Sequence, residues 1–247
     1  MIWLYSIASV VIVSLISLIG AVTLALKKER LEKLLLYLVS LSVGALFGDV
    51  FLHILPEISE EGGFGVVVGV YFLIGIVLFF IIEKFVHWHH CHHAEHEHKV
   101  KPVAVTNLIG DGFHNFLDGM VIAAAFLVSV PVGIATALAV VFHEIPQEIG
   151  DFGVLLYSGL SAKKALLFNF LSGALAVAGA VLVLLTSKIF VGLDLALLAV
   201  AGGGFIYIAG SDLIPEMHKE CRWNCSLYQL IMILVGIGLM ATLLLFE

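Results

Sequence analysis

The sequence predicts an all-α membrane protein, an eight-transmembrane-helix bundle in one membrane domain, and three observations predict it. The chain of 247 residues is 61% hydrophobic and only 13% charged, with a mean hydropathy of +1.12, so it has too little polar surface to cover a soluble globule. Its apolar residues fall into stretches near the length a bilayer requires, about 20 residues each. Its basic residues collect in alternate connections between those stretches, as cytoplasmic loops do.

The spans are expected at about 3–26, 34–57, 64–86, 103–128, 131–158, 163–187, 194–217 and 227–246. The first is longer than a signal peptide's apolar core and lacks a basic segment before it, so it is expected to stay in the mature protein. Sizeable polar connections lie at 27–33, 58–63, 87–102 and 218–226, which leaves a single transmembrane domain, 1–247. With both termini outside, the inner connections hold Lys27, Lys28, Arg30, Lys33, Lys84, Lys99, Lys101, Lys163, Lys164, Lys219 and Arg222. Only Lys188 falls outside, where Glu57, Glu60 and Glu61 make the connection after the second span acidic. The net charge of -7 does not point to nucleic acid, because the acidic groups are divided between buried spans and this outer loop.

An inverted repeat is expected to relate helices 1–3 to helices 6–8 around central helices 4 and 5. The second span ends Asp49-Val50-Phe51-Leu52-His53-Ile54-Leu55-Pro56-Glu57, and the seventh ends Ser211-Asp212-Leu213-Ile214-Pro215-Glu216. Aligning His53 with Asp212 also sets Gly44 on Gly203, and the two spans cross in opposite directions. Such repeats build secondary transporters, with substrate held near the midplane. The alternative is that Pro-Glu is ordinary helix-boundary chemistry.

The fourth and fifth spans carry the chemistry. With about 3.6 residues per turn, Asp111, His114 and Asp118 stand at i, i+3 and i+7 on one helix face. His143 and Gln147 are four apart on the fifth span, as are Glu144 and Glu148, with Asp151 beyond them. The short Ser129-Val130-Pro131 connection makes the two helices antiparallel neighbours. Ionisable groups inside a membrane cost about 2.5–3.5 kcal/mol each on insertion scales, and mark ion pathways. Imidazole with carboxylate suits a borderline divalent cation such as zinc, whereas calcium prefers oxygen alone. Pro146 cannot donate to the Phe142 carbonyl, which predicts a broken helix and a free acceptor beside the ligands. A polar network that merely locks the bundle would need fewer ionisable groups than these.

A third feature joins spans three and four: His87, His89, His90, Cys91, His92, His93, His96 and His98 in one short tract, with seven of the chain's 11 histidines. This composition signals metal capture by a cytoplasmic loop, 87–101; a solvated loop is the alternative. Cys91, Cys221 and Cys225 fall on the predicted cytoplasmic side, where thiols stay reduced. His218, Cys221 and Cys225 read either as a small metal patch or as a loop beside basic residues. An intramembrane zinc-dependent lipid hydrolase is the rival function. The protease motif H-E-x-x-H fails at Gln147, but zinc held by scattered His and Asp with one position open for water would serve a hydrolase.

With these motifs in order, the chain resembles the ZIP family of divalent-metal transporters, in the subfamily marked by HNFxDG on the fourth helix and HExPHExGD on the fifth. The resemblance covers the whole chain. It implies zinc as the chief substrate and uptake toward the cytoplasm, for which alternating access is the expected mechanism; nitrogen and oxygen ligands also accept iron, manganese, cadmium and other divalent cations. It also implies a homodimer in a lipid bilayer and no enzymatic activity; the short connections, without a large ectodomain, fit a plasma or inner membrane. By motif position, His114, Asp118, His143 and Gln147 resemble a first metal site, and Asn115 and Glu144, with Asp118 shared, resemble a second. Asp49, His53, Asp111, Glu148, Asp151, Asn169 and Asp212 resemble accessory positions along the route. Position 147 departs from the subfamily's His, which implies looser zinc. The sixth span offers Asn169 and Ser172 where some relatives have a carboxylate.

Overall fold

A computed structural model of the chain describes residues 1–24, 28–62, 65–91, 103–187, 193–219 and 223–246. Among the described residues every regular element is a helix. In chain order these are α1 (Ile2–Thr23); α2 (Lys28–Asp49, a π turn at Val50–Ile54, then Leu55–Gly62); and α3 (Val66–Cys91). Then come α4 (Val103–Val128), α5 (Val130–Tyr157) and α6 (Ala162–Thr186). Last are α7 (Leu193–Tyr207, a π turn at Ile208–Leu213, then Ile214–Met217) and α8 (Trp223–Leu243). Seven of them are long and apolar enough to cross a membrane; in α3 the apolar stretch is the shorter Val66–Ile81.

The outside of the bundle is apolar and its inside is partly polar, the reverse of a soluble domain. Leu4, Ile12, Leu73, Leu185 and Leu234 are exposed, while Asp49, Asp118, Glu144, Glu148 and Asn169 are almost fully buried. A chain with such an exterior is an integral membrane protein.

Two connections differ from expectation. Residues 58–62, expected as an outer loop, continue the helix of α2 to Gly62. The expected three-residue turn between α4 and α5 shrinks to Ser129, whose hydroxyl accepts the Val132 amide at 3.3 Å as an N-cap, with Pro131 in the first turn. This tight reversal sets α5 directly against α4.

Two proline-linked turns are informative. Pro56 and Pro215 each stand two residues past the end of a π turn. A proline removes one helical hydrogen bond, and a widened turn accommodates the loss.

The outer pairs pack by close backbone approach. A methyl group on Gly44 of α2 would lie 2.1 Å from the Ile233 carbonyl oxygen of α8, and one on Gly236 of α8 would lie 2.4 Å from that of Leu41. The α7–α3 pair does the same: a methyl on Gly203 would lie 2.0 Å from the Phe72 oxygen, and one on Gly75 2.0 Å from the Val200 oxygen. Small residues let membrane helices approach this closely. α4 and α5 lie between these pairs and α1 with α6, so their shared seam is the centre of the molecule.

Candidate metal centre

α4 places Asp111, His114, Asn115 and Asp118 along the face it turns to α5, and α5 answers with His143, Glu144, Gln147 and Glu148. Four side chains meet at mid-seam: His114, Asp118, His143 and Glu144, with one ligand atom from each inside a 4.8 Å cluster. The two Nε2 atoms are 3.3 Å apart. His143 Nε2 lies 3.3 Å from Asp118 Oδ2 and 3.6 Å from Glu144 Oε1. His114 Nε2 lies 3.6 Å and 3.5 Å from the same two oxygens.

These spacings match a metal's coordination polyhedron. Zinc with bonds of about 2.0–2.1 Å in tetrahedral geometry sets its donors about 3.3–3.4 Å apart. Both oxygens of Asp118 and of Glu144 lack a hydrogen-bond donor although both residues are buried; unpaired buried acceptors of this kind are satisfied by a cation. The tautomer fits as well. His143 Nδ1 is 3.1 Å from the Ala139 carbonyl oxygen, so the ring donates there and its Nε2 lone pair faces the cluster.

The walls are aromatic. Phe79 of α3 stands edge-on to His114 at 6.0 Å, and Phe205 of α7 to His143 at 5.8 Å. Gly204 makes room for Phe79, whose ring would lie 2.4 Å from a methyl at that position.

The fifth helix is not broken. α5 runs through Pro146 without interruption, and the Phe142 carbonyl expected to be free accepts the Ser42 hydroxyl of α2 at 2.6 Å. A neighbouring helix thus supplies the donor that proline lacks, as is usual for proline within membranes.

The other expected site residues fall in three places. Asn115 turns its amide nitrogen to Asp111 Oδ1 at 2.9 Å, and Gln147 neighbours the same carboxylate. Asp111, Glu148 and Asp151 form a second group one to two turns along the seam, and Asn169 of α6 donates to Glu148 Oε2 at 2.6 Å. Asp49 and His53 lie buried near the π turn of α2, with Thr136 Oγ1 at 3.5 Å from Asp49 and His53 Nε2 at 3.0 Å from the Met240 carbonyl. Asp212 is exposed, in the π turn of α7. His87, His89, His90 and Cys91 close the last turns of α3, where only the backbone is described, and His92, His93, His96 and His98 lie outside the described residues, as does Cys221.

Sequence reasoning missed Ser42, Phe79 and Phe205. Each is an ordinary residue of an apolar span, and only the packing of α2, α3 and α7 on the central pair gives it a role.

The fold and the cluster together define an integral membrane protein with a buried imidazole–carboxylate centre. The chain belongs to the ZIP zinc transporter family, whose pattern, described as ZIP Zinc transporter, matches residues 1–99 and 87–244. It is similar to zinc transporter ZIP10 of Danio rerio, 38% identical over 155 residues that make up 60% of this chain and 18% of that protein. It is 30% identical to zinc transporter zipt-7.2 of Caenorhabditis elegans over 99% of this chain and 66% of the relative. With the metal cation symporter ZIP14 of Xenopus tropicalis it shares 29% identity, over 90% of this chain and 63% of that one. The chain thus spans less than two thirds of the length of each of these relatives.

Proposed function

We propose that this protein carries zinc and related divalent cations across the membrane toward the cytoplasm, by alternating access, through a mid-membrane site between α4 and α5. The observation that carries the reading is the four-donor cluster of His114, Asp118, His143 and Glu144, spaced as a tetrahedral zinc ion spaces its ligands. A partly dehydrated ion exchanges water for these donors. The charges of Asp118 and Glu144 compensate it where a bare divalent ion would meet a large desolvation penalty.

Membership of a transporter family replaces the hydrolase reading.

Eight spans, with α3 as the third, complete the architecture, in one transmembrane unit over 1–247 with both termini outside and 87–101 cytoplasmic. The glycine contacts support an inverted repeat of α1–α3 and α6–α8. Gly44 meets the oxygen three residues before Gly236, and Gly203 meets the oxygen three residues before Gly75; both contacts are reciprocated. The π turns before Pro56 and Pro215 fall at matching places. Family resemblance and residue chemistry support a homodimer, a plasma or inner membrane location, a second metal on Asn115 and Glu144 with Asp118 shared, looser zinc at the first site because of Gln147, and metal capture by the His-rich loop.

The test is accumulation of radioactive zinc by vesicles carrying the purified protein. We expect uptake above protein-free vesicles, at least tenfold less with His143→Ala, and still measurable with 87–98 removed. Zinc binding without accumulation overturns transport, and the opposite pattern in the two variants overturns the placement of the site.

A further inference from the structure

We infer that the groove between α4 and α6, on the outside of the bundle, binds one anionic phospholipid, with an acyl chain in the groove and the headgroup at Lys163 and Lys164. The groove has a volume of about 580 Å³ and is lined by Val105, Ile109, Gly112, Phe113 and Phe116 of α4 and by Leu175 of α6. Each of these is apolar or glycine, and the volume lies within the range of about 300–1,000 Å³ that holds a small ligand. Gly112 opens the notch: a methyl there would lie 2.8 Å from Leu175 Cδ1. Val105, Ile109 and Phe113 are exposed, so the groove faces the bilayer, where a lipid chain is the apolar occupant at hand.

Length and charge select the occupant. From Val105 to Phe116 α4 rises about 16 Å, the depth of one leaflet in a hydrocarbon core roughly 30 Å thick. Ala104 of α4 and Ala165 of α6 share one buried cluster, against which the groove residue Leu108 also packs, so the groove opens at the level where α6 begins. There Lys163 and Lys164 are exposed. Lys164, Phe168, Leu171 and Leu175 stand at i, i+4, i+7 and i+11, an exposed stripe of α6 that leads from the ammonium to the groove. A chain in the groove therefore sets its headgroup beside a positive pair. The basic end of a span faces the cytoplasmic leaflet, whose anionic lipids bind basic sites between membrane helices. The inference rests on the membrane setting alone and goes beyond the transport reading.

The test uses the purified full chain in detergent, with an equimolar mixture of palmitoyl-oleoyl phosphatidylglycerol and palmitoyl-oleoyl phosphatidylcholine as the probe. Native mass spectrometry counts the lipid that survives collisional removal of loosely held molecules. We expect one phosphatidylglycerol per chain, retained at least fivefold over phosphatidylcholine. K163Q/K164Q should hold the two lipids equally, and I109W, which fills the groove from its exposed side, should hold neither. Equal retention of both lipids by the wild type, an undiminished preference in K163Q/K164Q, or phosphatidylglycerol retained by I109W each overturns the inference. If I109W does not fold, V105W on the same wall decides in its place. A lipid-free wild-type dimer that I109W turns into monomer also overturns it, and assigns the groove to a second copy of the chain.

Discussion

Ser42→Ala tests how the centre is held. The hydroxyl lies 2.6 Å from the Phe142 oxygen and 2.7 Å from its own helix's Leu38 oxygen. Leu38 also accepts an amide within the helix, whereas Phe142 has lost that donor because residue 146 is proline. The loss therefore concentrates on one buried carbonyl next to His143. An unsatisfied buried acceptor costs about 1–3 kcal/mol, but interhelical hydrogen bonds in membranes average only about 0.6 kcal/mol with a maximum near 1.7. We expect Ser42→Ala to destabilise the protein by about 1–1.5 kcal/mol, roughly tenfold in the unfolding equilibrium. The assay is reversible unfolding in mixed micelles followed by circular dichroism, paired with a zinc titration. Pro146→Ala restores an amide that can reach Phe142, so in that background Ser42→Ala should cost less than about 0.5 kcal/mol. An equal cost in both backgrounds refutes the reasoning, because the serine would then matter for packing alone.

Gln147→His adds a nitrogen donor near the centre, and should leave several-fold more zinc on the protein after desalting and slow its turnover; unchanged retention removes position 147 from the route. Gly44→Ala and Gly203→Ala should each destabilise by about 1–3 kcal/mol, since the new methyl meets a carbonyl oxygen at 2.1 or 2.0 Å. Gly69→Ala, with nothing within 4 Å, should change stability by no more than about 0.5 kcal/mol; unequal costs at Gly44 and Gly203 in the same unfolding assay would count against equivalent roles in a repeat. Zinc at about 100 times its Kd should stabilise the wild type by about 2.7 kcal/mol, read as a raised Tm, and should leave His143→Ala unshifted. A shift that survives in His143→Ala would place the stabilising zinc elsewhere.

The sequence by itself determined the membrane setting, because hydropathy and span length are summed along the chain and need no tertiary contact. It also determined that α4 and α5 present their donors to each other, since the i, i+3, i+4 and i+7 spacing and the Ser129 reversal are local facts. Tertiary structure alone decided how those donors divide. Glu144 joins the two histidines and Asp118, while Asn115 turns its amide nitrogen to Asp111, because an α-helix fixes the face of a residue but not its rotamer. Packing also decided the fate of the Phe142 carbonyl. Proline in α5 predicts a missing donor, but the hydroxyl that replaces it comes from Ser42, a hundred residues earlier in the chain, and such a distance is closed only when α2 is laid against α5.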